Sequence, residues 1–135
     1  MVRRKLDQYY PLLRATERVT YMSDIDGFHA HVYFSQETLA QATVLCENAR
    51  DKFGIKMGRI HERPVGPHPV WSCQLSVGNN DFAAVIPWLA MHREGLTIFI
   101  HPNTADALAD HSRYAMWMGQ MLSLNLTIFT SDAAE

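Results

Sequence analysis

The stretch Phe28-His29-Ala30-His31-Val32-Tyr33-Phe34 changes character at every step. Aromatic and β-branched types are frequent in it, and a period of two is the signature of a half-buried strand. Successive strand side chains point to opposite faces. Phe28, Ala30, Val32 and Phe34 therefore share one face, and His29, His31 and Tyr33 share the other. The first set asks for a packed core. The second places two imidazoles on one side of the strand, roughly 7 Å apart at Cα.

Outward from this strand the pattern switches between periods. Ser35 reads as an N-cap, and 38–53 reads as a helix with the apolar stripe Leu39, Ala42, Leu45, Cys46 and Ala49. Gly54 stops it. Residues 55–61 alternate again as a second strand, and 64–69 form a loop dense in Pro and Gly. A third strand covers 70–77, and Gly78-Asn79-Asn80 turns the chain. A helix over 81–93 follows, with Pro87 as a kink or break. Residues 96–101 read as a fourth strand, 105–118 as a last helix and 124–129 as a fifth strand.

The order β-α-β-β-α-β is the split βαβ, or ferredoxin-like, arrangement of the α+β class. Its helices cover one face of an antiparallel sheet and leave the other open. In the fourth strand Leu96, Ile98 and Ile100 point one way, and Thr97, Phe99 and His101 the other. His29, His31 and His101 are thus expected to project together from the open face. A second subunit, the C-terminal segment or a ligand must close that face, and a homodimer is expected.

Bulk properties narrow the function. The chain has 135 residues, 47% apolar and 19% charged, which fits one globular domain. Residues 1–26 read as an N-terminal extension and 27–135 as the ferredoxin-like domain. Within the extension, 1–21 reads either as a segment upstream of an alternative start at Met22 or as a short helix. A net charge of −2 gives no basic footprint for nucleic acid. No stretch is long enough to span a membrane, and no apolar region follows Arg3, Arg4 and Lys5 to make a secretory signal. Two cysteines make no disulfide framework, so a cytoplasmic setting is expected. Cys73 should face the helices as an inert buried thiol.

Five of the seven histidines fall in short clusters: His29 and His31, His68 in Gly66-Pro67-His68-Pro69, and His101 with His111. Neutral imidazole is the commonest protein metal ligand and the usual proton-transfer group near neutral pH. Two strand histidines can converge on one ion at about 2.0–2.1 Å each, and a third from another strand completes a set with open positions. A pair of hydrogen-bonded surface histidines is the bland alternative. His68 is stiffened by Pro67 and Pro69. It reads equally as a placed imidazole or as part of a rigid turn. His61, beside Glu62 and Arg63, could orient a ligand or simply lie at the surface. Arg93 could grip a carboxylate or end a solvated helix. Asn103 and Thr104 could cap the next helix. His92 balances a helix dipole. Trp71, Trp88, Trp117 and Met116, Met118 and Met121 read as core or interface.

At these residues the chain resembles the DOPA 4,5-dioxygenase family of small aromatic ring-cleaving dioxygenases. The matching pieces are 28–34, Arg63-Pro64-Val65-Gly66-Pro67-His68-Pro69, and 96 through His101-Pro102-Asn103-Thr104 to Asp110-His111, with Trp117-Met118-Gly119. The resemblance covers roughly 27–130 and implies a ferredoxin-like fold. It implies extradiol cleavage of a catechol such as DOPA, with dioxygen and a non-haem Fe(II). By motif position His29, His31, His68 and His101 are metal ligands or acid/base groups, with the division among them open. Tyr33, His61, Arg93, Asn103 and His111 would support them or touch substrate. The usual facial triad carries one carboxylate; here Glu62 and Asp110 are the nearest. An all-histidine site would also accept zinc or nickel. The other readings are a dimeric ferredoxin-like protein that binds a small aromatic ligand without chemistry, and a metal-assisted hydrolase or isomerase.

Overall fold

Alternation over 28–34 is realised as β1 (Phe28–Phe34), at the centre of a five-stranded sheet. The computed structural model describes residues 24–130. A 3₁₀ turn (Gln36–Thr38) leads into α1 (Leu39–Phe53), then β2 (Lys56–His61), β3 (Trp71–Val77), α2 (Phe82–His92) and β4 (Thr97–Pro102). A single helical turn, α3 (Ala107–Asp110), a short β5 (Met116–Met118) and a 3₁₀ turn (Leu126–Phe129) complete the described chain. The strand order is β2-β3-β1-β4-β5, with every neighbouring pair antiparallel. This is the ferredoxin-like order with β5 added at one edge. The expected extension 1–26 lies outside the described residues up to position 23. Of its last residues, Asp26 joins the domain through its N–H to the Asn103 carbonyl at 2.8 Å.

The core lies between the helices and one sheet face. Ala30, Val32 and Phe34 of β1, Cys73, Leu75 and Val77 of β3, and Ile98 and Ile100 of β4 pack against Ala42, Leu45, Cys46 and Ala49 of α1 and Val85 and Leu89 of α2. Each is an alternate strand position or a residue on one helical face, so hydrophobic burial selects this register. Cys46 and Cys73 are free and buried there. Ser35 starts the 3₁₀ turn, its N–H donating to Thr38 Oγ1 at 2.9 Å. Gly54 ends α1 in the left-handed conformation, φ +65°, where a side chain would be strained. Pro87 neither breaks nor ends α2, which runs unbroken to His92. It stands at the middle of the helix, where it removes the one bond that residue 87 would donate to the Ala83 carbonyl, and the turns on either side continue across it.

The C-terminal part departs from the sequence expectation. The helix expected over 105–118 is one turn, α3, followed by β5. Asp106 caps that turn, its Oδ1 accepting from the Ala109 N–H at 3.0 Å, and the Tyr114 N–H closes back on the Ala109 carbonyl at 2.9 Å. Pairing with β4 then wins over helix continuation, because it sends Met118 to the core side and Trp117 to the other. The strand expected over 124–129 is a 3₁₀ turn. Asn125 Oδ1 accepts from the Thr127 hydroxyl at 2.7 Å and its N–H at 3.3 Å, a local competitor to strand pairing. Asn103 and Thr104 do not cap α3; Asp106 does.

Among the described residues no helix is long and apolar enough to cross a membrane.

Candidate metal centre

Sheet register builds the site. Across the face away from the helices, His29 stands between Ser76 and His101. On the next rung His31 stands between Gln74 and Phe99, with Trp117 beyond Phe99. On the third, Tyr33 stands between Ser72 and Thr97, with His61 beyond Ser72. One nitrogen from each of His29, His31 and His101 lies within 4.8 Å of the others. The parity of two strands and their antiparallel pairing are sufficient to bring these three together.

The pair His31 Nε2 and His101 Nε2 is 3.1 Å apart. Two nitrogens about 2.1 Å from one ion and nearly at right angles would be separated by about this distance. His101 is oriented by its Nδ1–H, which donates to the Pro102 carbonyl at 2.8 Å. That bond leaves Nε2 with a bare lone pair aimed at His31. A proton donated by His31 Nε2 satisfies the pair, and a cation can take that proton's place. His29 Nε2 is 3.4 Å from Gln74 Nε2, at the outer limit of a hydrogen bond.

His68 stands beside this trio, its ring 4.1 Å from the His31 ring. Its Nδ1 is 2.6 Å from the Tyr33 hydroxyl. Burial raises the Tyr33 pKa, so the phenol keeps its proton and donates to Nδ1. Neutral His68 then carries its own proton on Nε2.

Burial keeps all four imidazoles neutral. His31 is 4% and His101 2% exposed. Desolvation, aided by the neighbouring histidines, holds His31 well below its ordinary pKa. His68 is pushed down to about 4 by burial first, and then by His111, His101 and His61. His101 is also lowered to about 4, with burial outweighing the opposing Pro102 hydrogen bond. His29 is lowered by burial and by His111. Neutral nitrogen is the form a metal ion binds.

The chain itself covers part of this face. The His68 loop covers His31 and Tyr33, and the Asn125 N–H donates to the Pro67 carbonyl at 2.9 Å, tying that loop to the C-terminal segment. His111 and Phe129 stack at 4.2 Å over the β4 side. His111 donates from Nδ1 to the Ala107 carbonyl at 2.8 Å and sets its ring 4.1 Å from that of His101.

The other expected residues are more scattered. His61 shares the face at its Tyr33 end. Arg93 lies at the opposite end of β4 from His101, its Nη1 donating to the Leu96 carbonyl at 3.0 Å. Asn103 ends β4 with its backbone bonded to Gly27 and Asp26. Neither carboxylate completes a facial triad. Asp110 accepts from the Thr104 N–H at 2.8 Å and hydroxyl at 2.6 Å, which commits both its oxygens to the loop after β4. Glu62 is exposed beyond the end of β2, an edge strand. Phe99, Trp117 and Gln74 went unnoticed as site residues in the sequence. Phe99 is fully buried and packs on Trp117 at 4.7 Å, so the β4 side of the site is an aromatic wall. Strand parity around Gln74 would have found it.

Comparisons with known proteins place the chain in a family. The model of the Dopa 4,5-dioxygenase family matches residues 28–128. The chain is 34% identical over 114 residues to the DOPA 4,5-dioxygenase of Amanita muscaria, covering 77% of this chain and 50% of that protein. It is 35% identical over 114 residues to an "Uncharacterized 21.2 kDa protein" of Botryotinia fuckeliana, covering 76% and 62%. The chain thus spans half to three-fifths of the length of these curated relatives. A crystal structure of a "putative dioxygenase" from Nostoc punctiforme superposes with a TM-score of 0.68 at 40% identity, covering 77% of this chain and 90% of that one.

Proposed function

The chain belongs to the Dopa 4,5-dioxygenase family, and from that premise we propose that it is an extradiol ring-cleaving dioxygenase acting on a catechol such as DOPA. The observation that carries the reading is the convergence of half-buried His29 with buried His31 and His101, all with lowered pKa. Three nitrogen donors suit a divalent first-row metal with positions left for other ligands, so these residues fit the group. Fe(II) is the working ion in this reading; zinc or nickel would occupy the same donors after purification. Bound there, Fe(II) would supply the centre at which a catechol and dioxygen meet. Overall, one ring bond beside the two hydroxyls breaks, both oxygen atoms are incorporated, and a muconic semialdehyde results.

The protein's own residues have separable tasks. His29, His31 and His101 hold the ion. His101 is fixed in tautomer by the Pro102 carbonyl, an outer partner of the kind that keeps a ligand aimed. His68 is the proton-handling group: neutral, beside the trio, and oriented by Tyr33. Phe99 and Trp117 exclude water from the β4 side.

The test is to reconstitute the metal-free protein anaerobically with Fe(II), then supply L-DOPA, caffeate and protocatechuate in air. Oxygen uptake stoichiometric with a yellow ring-opened product is expected. Metal binding without uptake on any catechol would overturn the dioxygenase reading and favour a binding protein.

A further inference from the structure

The face that bears the histidines is not covered evenly. On the β4 side His101 and Phe99 are buried under His111, Phe129 and Trp117. On the β3–β2 side the described residues leave the face less covered. His29, Gln74 and Ser76 are half-exposed there, and Lys56 and Arg59 of β2 are exposed. Of the three convergent histidines, His29 is the one with partial exposure, and it lies on this side.

The register brings two cations to this side. Lys56 is opposite Ser76, which is itself opposite His29, so Lys56 shares the histidine face. Met57 and Ile60 pair with Leu75 and Cys73 and pack toward the core. Two residues, Gly58 and Arg59, therefore stand opposite Gln74 alone, which is a β-bulge. A bulge re-aims side chains, and here it sets both residues on the side of Gln74. At Gly58 itself a Cβ would lie 3.3 Å from the Gln74 carbonyl oxygen and 3.6 Å from its Cβ. Glycine lets β2 approach β3 at this point, and Arg59 follows it at the rim. The ion pairs among the described residues are Arg50–Asp51 and Arg113–Asp106, and neither involves Lys56 or Arg59.

We propose that Lys56 and Arg59 form an anion-recognising rim that selects catechols bearing a carboxylate on the arm remote from the hydroxyls. This rests on the catechol reading of the histidine site. β2 is two strand spacings from β1, or about 10 Å. A ring with a one- or two-carbon arm ending in a carboxylate spans roughly 7–10 Å at ordinary bond lengths. Hydroxyls held at the histidines thus leave the carboxylate at β2. Arg59 offers a forked donor to it and Lys56 a point charge.

The test is calorimetric binding to the zinc-loaded full chain, which turns nothing over, using catechol, protocatechuate and 3,4-dihydroxyphenylpropionate. At low salt the carboxylated ligands are expected to bind about fivefold to tenfold tighter than catechol, the sum of two exposed charge pairs. The advantage should shrink as salt is raised. In the doubly substituted Lys56→Gln, Arg59→Gln protein the preference should vanish while catechol affinity stays the same. Equal affinities in the unsubstituted protein would overturn the rim, as would a preference that survives both substitutions. Carboxylate-dependent binding with no binding of catechol would keep the rim and remove the catechol reading instead. Binding of none of the three would remove both.

Discussion

The two faces of β1 come from alternate residues of one seven-residue segment, and they are buried by different means. Ala30 and Val32 are fully buried, and His31 and Tyr33 nearly so, at 4% and 3% exposed. The first pair loses only apolar surface to water, against α1 and α2. The second pair brings polar atoms with it, and each must find a partner. Among the described residues no buried side-chain nitrogen or oxygen lacks one. One face therefore supplies stability from burial, while the other spends some of it to hold imidazoles neutral and convergent.

The largest expected effect separates the faces. His31→Ala should abolish metal binding and ring cleavage, by more than the roughly 10–100-fold that loss of an outer partner costs. Its thermal unfolding should stay cooperative. Leu89→Ala, on the core side, should destabilise the fold by about 2–5 kcal/mol yet leave metal affinity unchanged. Zinc titration and denaturant melts on both variants check this. A His31→Ala protein that fails to fold would make the trio structural and erase the contrast.

Acid should act on one face only. The ordinary histidine pKa is 6.5, but His68 and His101 are held to about 4 in the fold. Between those values the unfolded chain binds more protons than the native one, so stability falls as pH falls through the window. The slope is about 1.4 kcal/mol per pH unit for each such group. His31 adds in the same direction. Urea midpoints of the metal-free protein at pH 7, 6 and 5 should therefore drop steeply. The contribution is fully present above 6.5 and exhausted below about 4. A flat series would mean that the histidine face is wet.

Most of this contrast was legible in the sequence, because parity needs only alternation. Residues 28–34 and 96–101 declared which side chains share a face, and antiparallel order placed His101 opposite His29. What the sequence did not reveal depends on contacts between distant segments. That His68 stands beside the trio with its Nδ1 taken up by Tyr33 depends on a bond made across 35 residues. The segment after β4 misled for a related reason. Its helical and alternating patterns are real, but an Asp106 cap, an Asn125 turn and pairing to β4 decide the outcome. The bulge at Gly58 and Arg59 was equally hidden, since one extra residue in β2 is visible only against β3.

The smallest effect tests how far the polar face is organised beyond its three convergent nitrogens. Tyr33→Phe removes one oxygen and leaves the ring packed among Phe99, Trp117 and His68. The His68 Nδ1 then loses its donor inside a buried site, which should cost about 1 kcal/mol of stability. More tellingly, nothing would any longer fix the proton on Nε2. Nitrogen-15 spectra of the metal-free protein should pass from one dominant His68 tautomer to a mixture. Turnover should fall about tenfold in kcat with KM nearly unchanged, as expected for an outer partner that aims a proton-handling group but does not hold substrate. Metal affinity should not move, because Tyr33 touches none of the three convergent nitrogens. If the tautomer and kcat were both unaltered, His68 would be part of the wall, and the functional face of β1 would end at His31.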